Sequence, residues 1–352
     1  MKALKNDRPS KMNVWISACR PHTLPASISP ILVGSSLAYA YVRDNSIQNV
    51  NVFHLSFCFG VFACLVQVGT NLHNDYSDFI KGADNDKRIG HARATQRGWL
   101  TPYQTAFGSS LSLVVAFFIG IYLTYYVRLS RDPGPNNFWK TMLSLDPYML
   151  FVTFSSVFNA VAYTGGPYPL GYIGLGGLSI GYVGLGDLFV FLYFGIVAVI
   201  TVPYLVLRLA GETASLTEML FMKSLLSTSL FLSIPIGFLS TAIIVVNNLR
   251  DRDTDVEAGK RTLAVRFGEK FSRIEYGMLV AISYILAFPL ASKFGLPLLW
   301  PLMSFPVAIN QLKAVTFGGK DGMALNEHVG GTAKILLFYC ILLALSLQMT
   351  RL

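Results

Sequence analysis

Charge is scarce in this 352-residue chain. Asp, Glu, Lys and Arg together make up 13 % of it, about half the roughly 25 % of an ordinary soluble domain. That shortage excludes a soluble enzyme, a disordered chain and a fibrous protein. Cysteine is also sparse, with four residues and no zinc spacing, too few for a disulfide framework at this length. Cys58, Cys64 and Cys340 lie in apolar runs and Cys19 just before one, so all four read as small packing residues. The polar–apolar alternation of a membrane barrel is missing. Lys2, Lys5, Arg8, Lys11 and Arg20 crowd the first 22 residues, but no apolar core precedes Trp15, so no cleavable signal peptide is expected.

What is there is apolar: 53 % of residues are hydrophobic and mean hydropathy is +0.50. The expected fold is an all-α integral membrane protein, one transmembrane domain over residues 1–352 with a basic segment at 1–22. Apolar windows place about nine spans near 23–42, 52–74, 103–127, 147–165, 188–210, 229–249, 274–292, 296–317 and 331–350. Pro25, Pro30, Pro203, Pro235 and Pro289 fall inside spans, where neighbouring helices can satisfy the freed carbonyls. The net charge is +9. In a membrane protein it reads as an orientation signal, and no nucleic-acid partner is expected. Lys and Arg concentrate in the N-terminal segment and in 75–102 and 250–273. Nine spans put these, with 164–187, on one face as a cap of loops, and the basic excess makes that face cytoplasmic or its topological equivalent.

Two of the loops carry chemistry. Asn71, Asn74, Asp75 and Asp78 stand at i, i+3, i+4 and i+7 of a helix leaving the second span, and Asn248, Asp251 and Asp255 at i, i+3 and i+7 of one leaving the sixth. Each set projects from one helical face if the helix continues. Clustered carboxylates repel one another unless a cation offsets them, and hard oxygen donors suit Mg²⁺ or Ca²⁺. Basic residues are interleaved: Lys81, Lys87, Arg88, Arg93 and Arg97 in one loop, Arg250, Arg252, Lys260 and Arg261 in the other. Acid for metal with base for phosphate is the equipment of a diphosphate site. One such loop alone reads equally well as a solvated helix end. Two on the same face, each beginning with Asn inside a helix, read as a site. Asp251-x-Asp253-x-Asp255 is not an EF-hand, since Val256 stands where that loop needs Gly and Thr262 where it needs Glu.

At these residues the chain resembles the UbiA superfamily of intramembrane aromatic prenyltransferases, over nearly its whole length. Asn74-Asp75-x-x-Asp78 with Asp84 looks like the superfamily's first aspartate-rich motif and Asp251-x-x-x-Asp255 like its second. Arg20-Pro-His-Thr-Leu24, the run from Asn71 to Gly82, Tyr163-Thr-Gly-Gly-Pro167 and Asn247 to Val265 look most like the menaquinone branch, which prenylates 1,4-dihydroxy-2-naphthoate. The resemblance implies a bundle of membrane helices and two Mg²⁺ ions. It also implies a polyprenyl diphosphate that ionises to an allylic cation, an acceptor ring that attacks that carbon and loses CO₂, and a tail lying in a groove open to membrane lipid. It assigns Asn74, Asp75, Asp78, Asp251 and Asp255 to metal. Asn71 and Asn248 become supporting ligands, and Lys81, Arg88, Lys260 and Arg261 phosphate contacts.

Other assignments stay open on the sequence. Tyr163 orients the acceptor or stabilises the cation by its ring face, or is an interfacial belt tyrosine. Arg20 attracts an acceptor carboxylate, pairs with an aspartate, or snorkels at a helix end. No Lys or Arg lies between 164 and 187, and a ten-residue repeat beginning at Gly171 and Gly181 lengthens that stretch and contains Asp187. Both depart from the superfamily pattern. Homogentisate, 4-hydroxybenzoate or haem as acceptor, and a non-catalytic carrier of anionic lipid, are the competing readings. A bacterial inner membrane is the expected location, with an organelle inner membrane the alternative.

Overall fold

The computed structural model describes residues 9–82, 89–90, 93–131, 145–165, 185–211, 225–257 and 259–350, and among these it contains helices and turns but no strand. Arg88, Asp84, Lys87 and most of the ten-residue repeat lie outside the described residues.

The first helix, α1 (Lys11–Cys19), starts where the Ser10 hydroxyl accepts the Asn13 amide at 3.3 Å, satisfying one of the open donors of a helix start. It ends at Arg20, held left-handed at φ 53°, a conformation that costs a residue with a Cβ. A short 3₁₀ turn, Pro21–Thr23, then leads into α2 (Leu24–Asp44). After it come α3 (Val52–Ile80), capped by Asn51, α4 (Pro102–Arg131) and α5 (Pro147–Ala162), capped by Asp146. Next, α6 (Leu185–Val190), a π-helical stretch Phe191–Val197 and α7 (Ala198–Leu209) follow one another without a break. The remaining helices are α8 (Leu225–Glu257), α9 (Leu263–Ile285), α10 (Ala287–Phe294), α11 (Phe305–Leu312) and α12 (Asn326–Met349).

Six helical stretches among the described residues are long and apolar enough to cross a membrane: Val52–Ile80, Pro102–Leu129, Gly186–Leu209, Leu225–Glu257, Leu263–Phe294 and Gly322–Met349. Nine windows were expected to do so, and the other three are helical for different reasons. Residues 147–165 give a 16-residue helix, about 24 Å at 1.5 Å per residue and short of the roughly 30 Å hydrocarbon layer. Residues 296–317 break into 3₁₀, α and π pieces, because Pro297, Pro301 and Pro306 each remove a backbone donor. Residues 23–42 form α2, whose serines lower its hydropathy but whose place is central. Val33 and Leu37 pack into one core cluster with residues of α7, α8, α9 and α12, while Ile31 and Ala38 pack into a second with α3, α4, α5 and α7.

Close approach makes this possible. A Cβ on Gly34 would stand 2.2 Å from the Val199 carbonyl oxygen, so α2 touches the α7 backbone. The Ser36 hydroxyl donates to the Ala344 carbonyl of α12 at 2.6 Å. The outer surface is apolar: Phe53 is 80 % exposed and Phe158 67 %, as expected of side chains that face lipid rather than water.

Candidate active site

Each motif sits at the end of a long helix that stops in the same way. α3 carries Asn71, Asn74, Asp75 and Asp78 on one face and closes through Lys81, whose amide donates to the Ser77 carbonyl at 3.0 Å, and Gly82, left-handed at φ 70°. α8 carries Asn247, Asn248, Asp251 and Asp255 and turns at Gly259, φ 71°, so that the Lys260 amide returns to the Asp255 carbonyl at 2.9 Å. Glycine tolerates this backbone where residues with a Cβ do not. In both cases a lysine is set beside the last carboxylate of its motif.

The two ends meet. Lys260 Nζ stands 3.6 Å from Asp78 Oδ2 and 3.8 Å from Asp255 Oδ1, so one ammonium joins carboxylates of the two motifs. Asp75 is buried and ion-paired with Arg20 and, at 3.3 Å, with Arg93. Asp78, also buried, accepts from Arg93 at 2.6 Å. Asn74 Oδ1 accepts the Thr164 hydroxyl at 2.8 Å, and Lys81 Nζ donates to the Thr164 carbonyl. Burial lowers the pKa of the Lys81 ammonium; neighbouring Asp78 opposes that shift and Lys260 adds to it. Asn71 donates to Thr23 Oγ1 at 3.1 Å and to the Cys19 carbonyl at 3.2 Å, tying α3 to the turn that presents Arg20.

The structure sorts the remaining expected residues. Asp251 pairs with Arg250 on its own helix at 2.6 Å, and Arg250 also donates to Asn247 and, at 3.0 Å, to Asn326. Asn248 is buried and Arg261 is exposed. Arg20, for which three readings stand open on the sequence, contacts Asp75. The sequence does not single out Arg93 or Thr164, yet both stand in the site. Arg93 was visible as one of several loop cations, whereas Thr164 carried no signal beyond its place after Tyr163.

Below the carboxylates lies a cavity of about 360 Å³ lined by Asn71, Gln67, Asn159, Tyr163 and Asn247, and then by apolar groups including Phe59, Phe62, Val66, Phe189, Val190, Phe194 and Ile243. Much of one wall comes from α6 and the π-helical stretch, a helix form that recurs at functional sites. Gly186 keeps that wall close: a Cβ there would stand 3.0 Å from the Tyr163 hydroxyl.

The donors at the mouth suit a magnesium ion in part. No group of three or more His, Cys, Asp or Glu side chains among the described residues is placed to hold a metal by itself. Mg²⁺ commonly takes one or two carboxylates and completes its shell with water and substrate phosphates, and Asp78 and Asp255, sharing one cation, can supply those carboxylates.

Fold and site together define an integral membrane protein that sets carboxylates and cations over an apolar chamber, an arrangement for a substrate with an anionic head and a greasy body. The chain belongs to the UbiA prenyltransferase family, which matches residues 27–321. Among curated relatives, the 1,4-dihydroxy-2-naphthoate octaprenyltransferase of Escherichia coli K12 is 27 % identical over 97 % of both chains. The enzyme of the same name from Mycobacterium tuberculosis is 31 % identical over 78 % of this chain and 77 % of its own. Two solved structures share the fold. A UbiA homologue from Aeropyrum pernix K1 has a TM-score of 0.59 at 12 % identity, covering 93 % of this chain and 97 % of its own. A UbiA homologue from Archaeoglobus fulgidus bound to GPP and Mg²⁺ has a TM-score of 0.50 at 12 % identity, covering 94 % and 99 %.

Proposed function

We propose that this protein transfers a polyprenyl group from a polyprenyl diphosphate to 1,4-dihydroxy-2-naphthoate, releasing diphosphate and CO₂ and giving demethylmenaquinone. The relatives named for this reaction over nearly the full chain support the acceptor. The observation that carries the reaction type is Lys260 reaching from Asp255 to Asp78 above the apolar cavity.

Magnesium, two ions in this reading, would be held by Asn74, Asp75, Asp78, Asp251 and Asp255, and supplies positive charge against the leaving diphosphate. In this reading Lys81, Arg88, Lys260 and Arg261 take phosphate oxygens and so favour heterolysis of the C1–O bond, in which the diphosphate leaves with the electron pair. Tyr163, which lines the cavity, would orient the acceptor or stabilise the allylic cation by its ring face. Attack by the ring carbon that bears the carboxylate forms the new C–C bond, and loss of CO₂ returns the bonding pair to the ring. Dry apolar walls keep water from capturing the cation. In this reading the prenyl tail lies along these apolar walls and extends toward membrane lipid.

The test is product formation by protein in lipid, given dihydroxynaphthoate, a polyprenyl diphosphate and Mg²⁺, with mass spectrometry for demethylmenaquinone. Asp75→Ala is expected to lower turnover at least about 100-fold with membrane insertion intact, as loss of a metal ligand does. EDTA is expected to stop the reaction and Mg²⁺ to restore it. Wild-type-like turnover by the variant, or activity that survives chelation, rejects the metal assignment. Preference for homogentisate or 4-hydroxybenzoate rejects the acceptor.

A further inference from the structure

Arg93 holds a place that the reaction as described does not use. Its backbone is fixed: Ala94, Trp99 and Leu100 pack with Val14, Ala18 and Leu72, and the Thr95 and Thr105 hydroxyls are 2.8 Å apart. From that anchor the guanidinium reaches the end of α3. There it contacts Asp78 Oδ2 at 2.6 Å, Asp75 Oδ1 at 3.3 Å and the Asn74 carbonyl oxygen at 3.2 Å. Its side chain is only 8 % exposed, against 21 % for both Arg20 and Lys260. One planar cation therefore lies across two carboxylates at i and i+3, the oxygens that the proposed reaction gives to metal.

The charges have a consequence for binding order. Arg20, Arg93 and Lys260 offset Asp75, Asp78 and Asp255. A divalent cation arriving alone would have to displace these partners and leave buried cations facing it, which is unfavourable at short range in a protein interior. A diphosphate alone would meet buried carboxylates. Arriving together the two are nearly balanced, and a guanidinium pairs with phosphate oxygens as readily as with carboxylates, through the same planar fork.

We propose that Arg93 is an exchange cation: it holds Asp75 and Asp78 while the site is empty and turns to the diphosphate when metal and diphosphate enter together. Resting on the prenyl-diphosphate reading above, this adds to it an interlock in which metal alone is excluded. An anchored backbone with a long side chain suits the task, since only side-chain torsions need to change.

The experiment uses the full chain in lipid nanodiscs and measures bound Mn²⁺, as a substitute for Mg²⁺, by equilibrium dialysis with and without inorganic diphosphate. Wild type is expected to bind Mn²⁺ at least about tenfold more tightly with diphosphate than without it, and Arg93→Gln to bind Mn²⁺ alone about tenfold more tightly than wild type. In that variant diphosphate should add less. Arg93→Lys, which keeps the charge but cannot span both carboxylates, is expected to fall between. Mn²⁺-alone affinity that is unchanged or weaker in Arg93→Gln, with diphosphate-dependent binding intact in wild type, overturns the exchange and leaves the prenyl-transfer reading standing. Wild type binding Mn²⁺ equally well without diphosphate also overturns it, whatever the variants do. Wild type that binds no Mn²⁺ even with diphosphate overturns both.

Discussion

Lys260 shows how much one side chain can decide. It follows a glycine in the left-handed region, its amide closes the end of α8, and its ammonium lies within 4 Å of carboxylates from both motifs. Replacing it with Met keeps length and apolar bulk but removes the charge between Asp78 and Asp255. Lys260→Met is expected to lower turnover about 10–100-fold and to raise KM for the prenyl diphosphate, because the two carboxylates then repel and a phosphate contact is gone. Steady-state kinetics over a range of diphosphate concentrations checks both parts. A loss confined to kcat would place Lys260 in the transition state alone. At this scale the spacing of Asn71, Asn74, Asp75 and Asp78 was legible in advance, because helical periodicity puts them on one face whatever the fold. The partners of Asp251 and Asp75 were not legible: whether a carboxylate meets Arg250, Arg20 or a metal depends on which elements the fold brings within a few ångströms.

Among the elements, α2 departs furthest from what its hydropathy implies. Its serines and Gly34 make it a weak membrane span by composition, yet it lies between two core clusters and contacts the α7 backbone. Small residues permit that approach, and in a membrane close packing substitutes for the missing hydrophobic drive. Gly34→Leu forces α2 away from Val199 and is expected to destabilise the protein by about 1–3 kcal/mol, as overpacking does. A lowered midpoint of thermal unfolding in detergent checks it, while Gly60→Leu, where a Cβ meets nothing within 4 Å, should leave the midpoint unchanged. Six of the nine apolar windows fall on helices long and apolar enough to cross a membrane. They could not distinguish a helix that faces lipid from one that faces other helices, since both require apolar surface.

For the whole molecule, one face gathers the two motif ends, the Arg20 turn, Arg93 and Lys260, while the rest presents apolar side chains such as Phe53, Phe118 and Phe158 outward. We propose that the basic excess on that face orients it to the cytoplasm by the positive-inside rule. In a variant lacking the four native cysteines, Arg97→Cys is therefore expected to react with an impermeant thiol reagent in inverted membrane vesicles and not in intact cells. Labelling of intact cells would reverse the orientation. We propose a cap reaching from 75 to 102, 164 to 187 and 250 to 273, within which residues 75–80, 185–187, 250–257 and 263–273 are helical.

The sequence by itself determined that this is a helical membrane protein, that two acid-and-amide faces end two of its helices, and that lysines accompany them. These are properties of composition and of a 3.6-residue period, and they need no knowledge of neighbours. Only the tertiary structure decided that Asp78 and Asp255 share one lysine, that Arg93 lies across Asp75 and Asp78, and that Thr164 holds Asn74. The Lys260–Asp78 and Thr164–Asn74 contacts join residues far apart in the chain, and side chains a few ångströms long can meet only where the fold has already placed their backbones.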